Sequence, residues 1–347
     1  MSVYEIDGSE LNKVYDINGD ELSTAYDIDG DVVYTATPRE YAITNVVSYF
    51  RQDTEDVADE LNALSSDWQS FVFLTDTHGS GNKQHSQAIA MYLMANTPAT
   101  MLFMGGDYCQ GDWVETQYDT YFEPFITNGF DDELYPVIGN HERFGAELSA
   151  LDVIYEDFLE NKSKLKGNPS KFYYYFDKAS KKTRYMFINT SNDLANGMTQ
   201  TQIDWIAQNV ILPASDWNLV VIGHIDIDAS NITGQWKSAK ASEITSAISL
   251  CNGHIVGYFC GHEHIDQLRL VNSKFYQLIS LCDLFENDNY FEVDNYPTRT
   301  NGTDTEQVVT VVSFNTQTGA VQTRRIGAGA GSGVNEYTWN YKTLQVT

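Results

Sequence analysis

An α/β architecture follows from three features of this 347-residue chain. Short apolar runs of strand length recur along it, and segments with helical spacing of apolar residues separate them. Each run breaks at a Gly or at polar residues. Five of six such runs end on Asp, Asn or His, which is how open α/β sheets assemble sites at the carboxyl ends of their strands. The runs are Ser70–His78, which delivers Asp76 and His78; Thr100–Asp107, delivering Asp107; and Leu134–Glu142, delivering Asn140 and His141. Tyr185–Thr190 ends in polar residues without a strong ligand, Leu219–His224 delivers His224, and Ile255–His264 delivers His262 and His264. Hydrophobic residues make up 42% of the chain, enough to bury a large core.

In chain order, residues 1–36 form a threefold repeat of eleven residues, marked by Tyr4, Tyr15 and Tyr26, by Ile6, Ile17 and Ile28, and by Gly8, Gly19 and Gly30. Asp-Gly and Asn-Gly between alternating residues signal two-residue hairpin turns, so the repeat reads as a small β-meander. Asp27–Asp31 lacks the distal bidentate Glu of an EF-hand loop. Residues 37–66 read as a linker and, over 42–65, an amphipathic helix with Val46, Val47, Phe50, Val57, Leu61 and Leu64 on one face and a break near Asp53. Lys83–Asn96 is a helix carrying a rim or surface His85, and further helices are expected up to Phe125 and over 146–163. Phe172–Asp177 and Thr183–Asn189 read as a hairpin, Thr199–Val210 as a helix capped by Thr199, and Gly234–Leu250 as another helix. Lys274–Ser280 and Val308–Ile326 are strand-rich, with Asn315–Gly319 as a turn. The expected division is thus repeat 1–36, linker and helix 37–66, main domain 67–326, and a Gly-rich segment with tail, 327–347.

The net charge of −27 disfavours a nucleic-acid or anionic-membrane surface, yet bound divalent metals would allow an anionic substrate. Cys109, Cys251, Cys260 and Cys282 form no C-x-x-C pair, which fits a reducing compartment or simple packing. The first residues carry neither the basic nor the apolar region of a signal peptide, and no apolar run approaches the ~18 residues of a membrane span. A cytoplasmic or particle-associated location is therefore expected.

The strand-end residues mix carboxylate, amide oxygen and imidazole. Such a set suits Mn, Fe, Zn or Ni, is too rich in nitrogen for a calcium or magnesium cage, and lacks the thiolates of a structural zinc site. Seven candidate ligands are too many for one ion, and Asp107 is a carboxylate able to bridge two. Two metals about 3.5–4 Å apart activate a shared water and clamp a phosphoryl group. Leaving seven such groups at apolar strand ends without a metal would be costly. His254 reads as structural, and Glu142 and Glu263 as residues behind the ligands or at the surface.

Asp76-x-His78, Gly106-Asp107, Gly139-Asn-His-Glu142, Gly223-His224 and Gly261-His-Glu-His264, in this order and spacing, resemble the calcineurin-like metallophosphoesterase superfamily from about Phe71 to His264. The resemblance implies a four-layer α/β/β/α sandwich of two mixed sheets. It implies one metal on Asp76, His78 and His264, a second on Asn140, His224 and His262, and Asp107 bridging them, with Mn or Fe favoured. It also implies hydrolysis of a phosphodiester or phosphomonoester by a metal-bridging hydroxide, with His141 as proton donor to the leaving group, a role suited to a side chain titrating near neutrality. Gln110 stands where purple acid phosphatases have a ligand Tyr, and where Ser/Thr protein phosphatases have an Asp. Ile138 replaces the Arg that the latter place before Gly-Asn-His-Glu, which argues against that branch, while the Phe172–Thr190 hairpin, the Thr199–Trp205 helix and Gly223-His224 look more like the broad group of bacterial phosphodiesterase-like members. The repeat resembles modules preceding hydrolase domains on phage and prophage tail proteins, which implies a larger assembly. The second function class is accordingly a non-catalytic tail component that keeps the fold; retention of all seven ligands and of His141 favours the enzyme. Substrate choice is expected to lie in the loops Cys109–Asp119 and Ile225–Gln235.

Overall fold

Two seven-stranded mixed sheets face each other and place their metal-type side chains along one edge. The computed structural model of the chain describes residues 24–26, 32–35, 40–79, 82–108, 115–142, 148–191, 198–228, 238–284, 296–330 and 336–346. Strands β1 (Thr24–Tyr26) and β2 (Val32–Thr35) pair antiparallel, Thr24 with Thr35 and Ala25 with Tyr34, a register centred on Asp29-Gly30. The earlier repeats and the turn itself lie outside the described residues.

The helix expected over 42–65 is three pieces. Short 3₁₀ turns at Ile43–Asn45 and Ser48–Phe50 precede α1 (Arg51–Asn62). The β-branched Val46 and Val47 between the turns are extended, with ψ of 134° and 145°. Asp53 is in the first turn of α1, where its charge favours the helix N-terminus instead of breaking it. The chain continues through β3 (Trp68–Leu74), α2 (Lys83–Asn96), β4 (Leu102–Met104), α3 (Glu115–Thr127), β5 (Leu134–Pro136) and α4 (Leu148–Phe158). Next come β6 (Lys166–Asn168), β7 (Tyr173–Lys178), β8 (Thr183–Phe187), α5 (Gln200–Asn209), β9 (Asn218–Ile222) and α6 (Ala241–Ile248). The last strands are β10 (His254–Cys260), β11 (Gln267–Val271), β12 (Phe275–Ile279), β13 (Val308–Asn315), β14 (Ala320–Gly327), β15 (Thr338–Asn340) and β16 (Gln345–Val346).

The first sheet runs β16-β15-β14-β13-β3-β4-β5 and the second β11-β12-β10-β9-β8-β7-β6. β3, β4 and β5 are parallel, as are β8, β9, β10 and β12, while the remaining pairings are antiparallel. Alternation decides which side chains meet between the sheets. Tyr185, Phe187, Val220 and Ile222 join the core shared with the first sheet and its helices, whereas Met186, Leu219 and Val221 pack with Ile203 and Ile206 of α5 and Ile244 and Ile248 of α6. On β10 the alternation skips a step. Val256 and Phe259 face inward while Ile255, Tyr258 and Cys260 face α5 and α6, because the register shifts between Ile255 and Gly257. Aromatic rings fill the middle, with Phe103 edge-on to Tyr185 at 5.3 Å and to Phe187 at 5.1 Å, and Phe71 edge-on to Phe259 at 5.4 Å.

Thr199 caps α5, its hydroxyl accepting from Gln202 N at 3.3 Å. The helix expected over Gly234–Leu250 begins, in the described part, at Ala241, because Ser238 is held out of it by a bond from its amide to Asp226 O at 2.8 Å. Asn315 forms the β13–β14 turn, its Oδ1 accepting from Gln317 N and Thr318 N at 2.9 and 2.8 Å. The residues read as a tail contribute β15 and β16 to the first sheet, and Trp339, fully buried, donates to Val256 O across the sheets at 3.2 Å. Among the described residues no helix is long and apolar enough to cross a membrane.

Candidate metal centre

Each predicted site residue follows the end of a parallel strand. Asp76 and His78 come after β3, Asp107 after β4, Asn140 and His141 after β5, His224 after β9, and His262 and His264 after β10. The first three strands belong to one sheet and the last two to the other, so the site lies where the carboxyl edges of both meet. The Tyr185–Thr190 run, which carries no ligand, serves the same edge: Thr190 Oγ1 accepts from the amides of His224 and Ile225 at 3.1 and 2.9 Å.

The backbone turns sharply at these ends. Asp76, His78, Asp107, His262 and His264 all have positive φ, between 44° and 71°. Side chains other than Gly rarely adopt that region, and such strain collects at functional sites. Hydrogen bonds hold the turns: Asp76 N donates to Gly106 O at 2.9 Å and His78 N to Asp107 O at 3.0 Å. Close approach accounts for the glycines of the motifs. A Cβ on Gly139 would fall on the Asp107 carboxylate, and one on Gly261 on that of Asp76. Gly106, at φ +92°, could not accept one without meeting Gly139 N at 2.6 Å.

Potential ligand atoms converge in three overlapping groups: Asp76, His78 and His264; His78, Asp107 and His141; and Asp107, His224 and His262, the atoms of each lying within 4.8 Å of one another. His224 Nδ1 lies 2.7 Å from Gly105 O, which sets the tautomer and leaves Nε2 facing Asn140 Oδ1 at 2.9 Å and Asp107 Oδ2 at 3.1 Å. His78 Nε2 and His264 Nε2 are 3.1 Å apart, and His264 Nε2 is 3.4 Å from Asp76 Oδ1. His141, half-buried, donates its amide to Asp107 Oδ1 at 2.9 Å and sets its ring edge-on to His78 with centroids 4.6 Å apart.

The electrostatics suit cations. Asp76 and Asp107 are buried, and their described ion-pair partners are histidines. Burial opposes charge on both, yet the surrounding imidazoles, His224 foremost, hold each carboxyl below its ordinary range. Burial lowers His78 to about 4 and His262 to about 3, leaving their nitrogens as lone-pair donors. His224 is also disfavoured as a cation by burial, but Asp107 and then Asp76 raise it to about 9. Metals binding here would supply the positive charge that a proton on His224 supplies otherwise. The donor set, the fixed tautomer and the paired buried carboxylates fit two divalent cations.

Two residues expected behind the ligands or at the surface are buried. Glu142 accepts from Gly139 N and Asp107 N on Oε2 at 2.7 and 2.8 Å and from Tyr108 N on Oε1 at 2.8 Å, tying the Asp107 and Asn140 turns together. Burial, reinforced by Asp107, raises it to about 7. Glu263 is buried too. Its place between His262 and His264 is a signal in the sequence, whereas nothing local marks Thr75, whose hydroxyl donates to Asp76 Oδ2 at 2.6 Å. His85 stays outside the site, its Nδ1 against Glu306 Oε1 and 3.2 Å from Tyr49 OH. His254 is near Tyr341, with ring centroids 6.1 Å apart. Gln110, most of Cys109–Asp119 and most of Ile225–Gln235 lie outside the described residues.

Residues 70–266, more than half of the chain, match a family model described as calcineurin-like phosphoesterase. Among solved structures, a dimetal phosphatase from Danio rerio is similar at 11% identity and TM-score 0.54, over 79% of this chain and 99% of that one. A 5′-nucleotidase from Candida albicans is 18% identical with TM-score 0.44, over 74% of this chain and 49% of that one. At 11% identity the likeness to the phosphatase bears on the fold alone. No curated protein matches the chain.

Proposed function

The chain belongs to the calcineurin-like phosphoesterase family and is a metal-dependent hydrolase of phosphoric esters, and from that premise we propose how its own residues divide the work. Asp76, His78 and His264 hold one cation, Asn140, His224 and His262 the other, and Asp107 is shared. The observation that carries this reading is that Asp107 stands in two of the groups, with His224 and His262 on one side and with His78 and His141 on the other, and that His78 also groups with Asp76 and His264. When bound, two cations supply Lewis-acid stabilisation of phosphoryl charge and an acidified water.

The protein's part is positioning and proton transfer. The left-handed turns aim the ligands inward, and the Gly105 carbonyl keeps His224 Nε2 available. His141, anchored through its amide to Asp107 Oδ1, donates a proton to the leaving oxygen of a phosphodiester or phosphomonoester. Mn or Fe is the proposed native metal, and substrate choice is assigned to the loops bordering Tyr108 and Asp228. The acidic repeat of residues 1–36 is proposed to mount the enzyme on a larger, tail-like assembly, with the catalytic unit in residues 67–326 completed by β15 and β16.

The test is hydrolysis of bis(p-nitrophenyl) phosphate and of the monoester by Mn-loaded, chelator-stripped and Asn140→Ala proteins. Turnover should require metal and fall at least ~100-fold in Asn140→Ala, and the ratio of the two esters assigns the substrate class. Turnover unaffected by chelator or by the substitution would overturn the assignment.

A further inference from the structure

A buried arginine beyond the family match, Arg299, grips the loop that supports the Asp76 turn. Its side chain is 1% exposed. It donates to Cys282 O at 2.8 Å, to Leu284 O, to Asp283 O at 3.2 Å and to Glu306 O at 2.5 Å. The strap so gripped, residues 281–284, turns its amides onto the metal-type loop. Asp283 N donates to Thr75 O at 2.9 Å and Leu284 N to Asp76 O at 3.0 Å. At its other end Leu281 N donates to Asp266 Oδ1 at 3.1 Å, and Arg325 clamps Asp266 through two bonds of 2.7 and 2.8 Å. Asp283 Oδ1 accepts from Val308 N at 3.1 Å, which fixes the strap to β13.

Burying a guanidinium costs desolvation, and removing it would leave four buried carbonyls without this donor. What the charge and its planar fork provide is geometry, since one group satisfies four carbonyls that point at it from two segments. The strained turn at Asp76 (φ 53°) and Thr75, whose hydroxyl orients the Asp76 carboxylate, both receive amides of this strap. We propose that Arg299 is a positioning residue for the metal pair: through residues 282–284 it sets the Asp76 turn, and thereby the cation shared by Asp76, His78 and His264. The inference rests on the metal assignment proposed above.

The test measures Mn2+ affinity and stoichiometry by titration calorimetry and elemental analysis for wild type, Arg299→Met and Arg299→Lys, alongside hydrolysis of bis(p-nitrophenyl) phosphate at increasing Mn2+. Arg299→Met should bind one of two ions about 10–100-fold more weakly, the range expected for residues that orient ligands. Its kcat should return towards wild type as Mn2+ is raised. Arg299→Lys keeps the charge with a less suitable donor geometry and should be intermediate, so it reports even if the Met variant does not fold. Variants with wild-type Mn2+ affinity and stoichiometry, but a lower melting temperature, would overturn the proposal and leave Arg299 purely structural. Wild-type protein that binds no Mn2+ would overturn the metal assignment and this inference together. Two tightly bound ions in wild type, unaltered in the variants, would overturn this inference alone.

Discussion

Glu142 shows how much one side chain does behind the ligands. It is buried and accepts three backbone amides, two of them on one oxygen. Removing it strands all three, each costing about 1–3 kcal/mol, so Glu142→Ala should lose about 3 kcal/mol or more in urea denaturation. Glu142→Gln can present its carbonyl to Asp107 N and Gly139 N but must turn an NH₂ towards Tyr108 N. It should therefore lose one bond, about 1–3 kcal/mol. Equal stability of the two variants would show that the shared carboxylate is not what ties these turns. The Gly-Asn-His-Glu motif marked the position, but its role needed the amides of Asp107 and Tyr108, more than thirty residues away.

Elements were legible in proportion to how local their causes are. The apolar content of Lys83–Asn96, which holds no Gly or Pro, and the hydroxyl of Thr199 mark α2 and the start of α5 within the segment itself. The 42–65 segment reads as a helix with a break near Asp53 because its apolar spacing is helical, yet the interruption falls earlier: Val46 and Val47 are extended and the α-helix is Arg51–Asn62. The strand ends are governed by contact with their neighbours. Gly139 has Asp107 against the place where a Cβ would stand, so Gly139→Ala should displace the shared carboxylate. A shift of 1 Å at a reacting site can cost about 100-fold in rate, and that loss in Mn-dependent turnover is expected with an unchanged far-ultraviolet circular dichroism spectrum. Near-wild-type turnover would mean that the turn relaxes without moving Asp107.

At the scale of the molecule, both sheets are needed for one site. Asp76, Asp107 and Asn140 follow strands of the first, and His224, His262 and His264 follow strands of the second. The sheets are locked by rings between them and by Trp339, which reaches β10 from a strand at the far end of the sequence. The seven candidate ligands all lie after residue 36 in the sequence. The mounting role proposed for residues 1–36 predicts an apparent mass in gel filtration well above the 39.1 kDa of one chain, falling to that of a monomer when residues 1–36 are deleted, with Mn-dependent turnover kept. A full-length monomer, or a deletion that abolishes turnover, would contradict a separate mounting module.

The chain's own pattern determined the α/β class and the order of the polar strand ends from which the candidate ligands come, because apolar runs, glycines and polar ends are written locally. Tertiary structure decided what depends on distant partners. It brought β15 and β16 onto the first sheet, buried Glu142 and Glu263, and set Arg299 behind the Asp76 turn. The physical reason is that a buried polar group is defined by what satisfies it, and for these residues the partners come from other strands and loops.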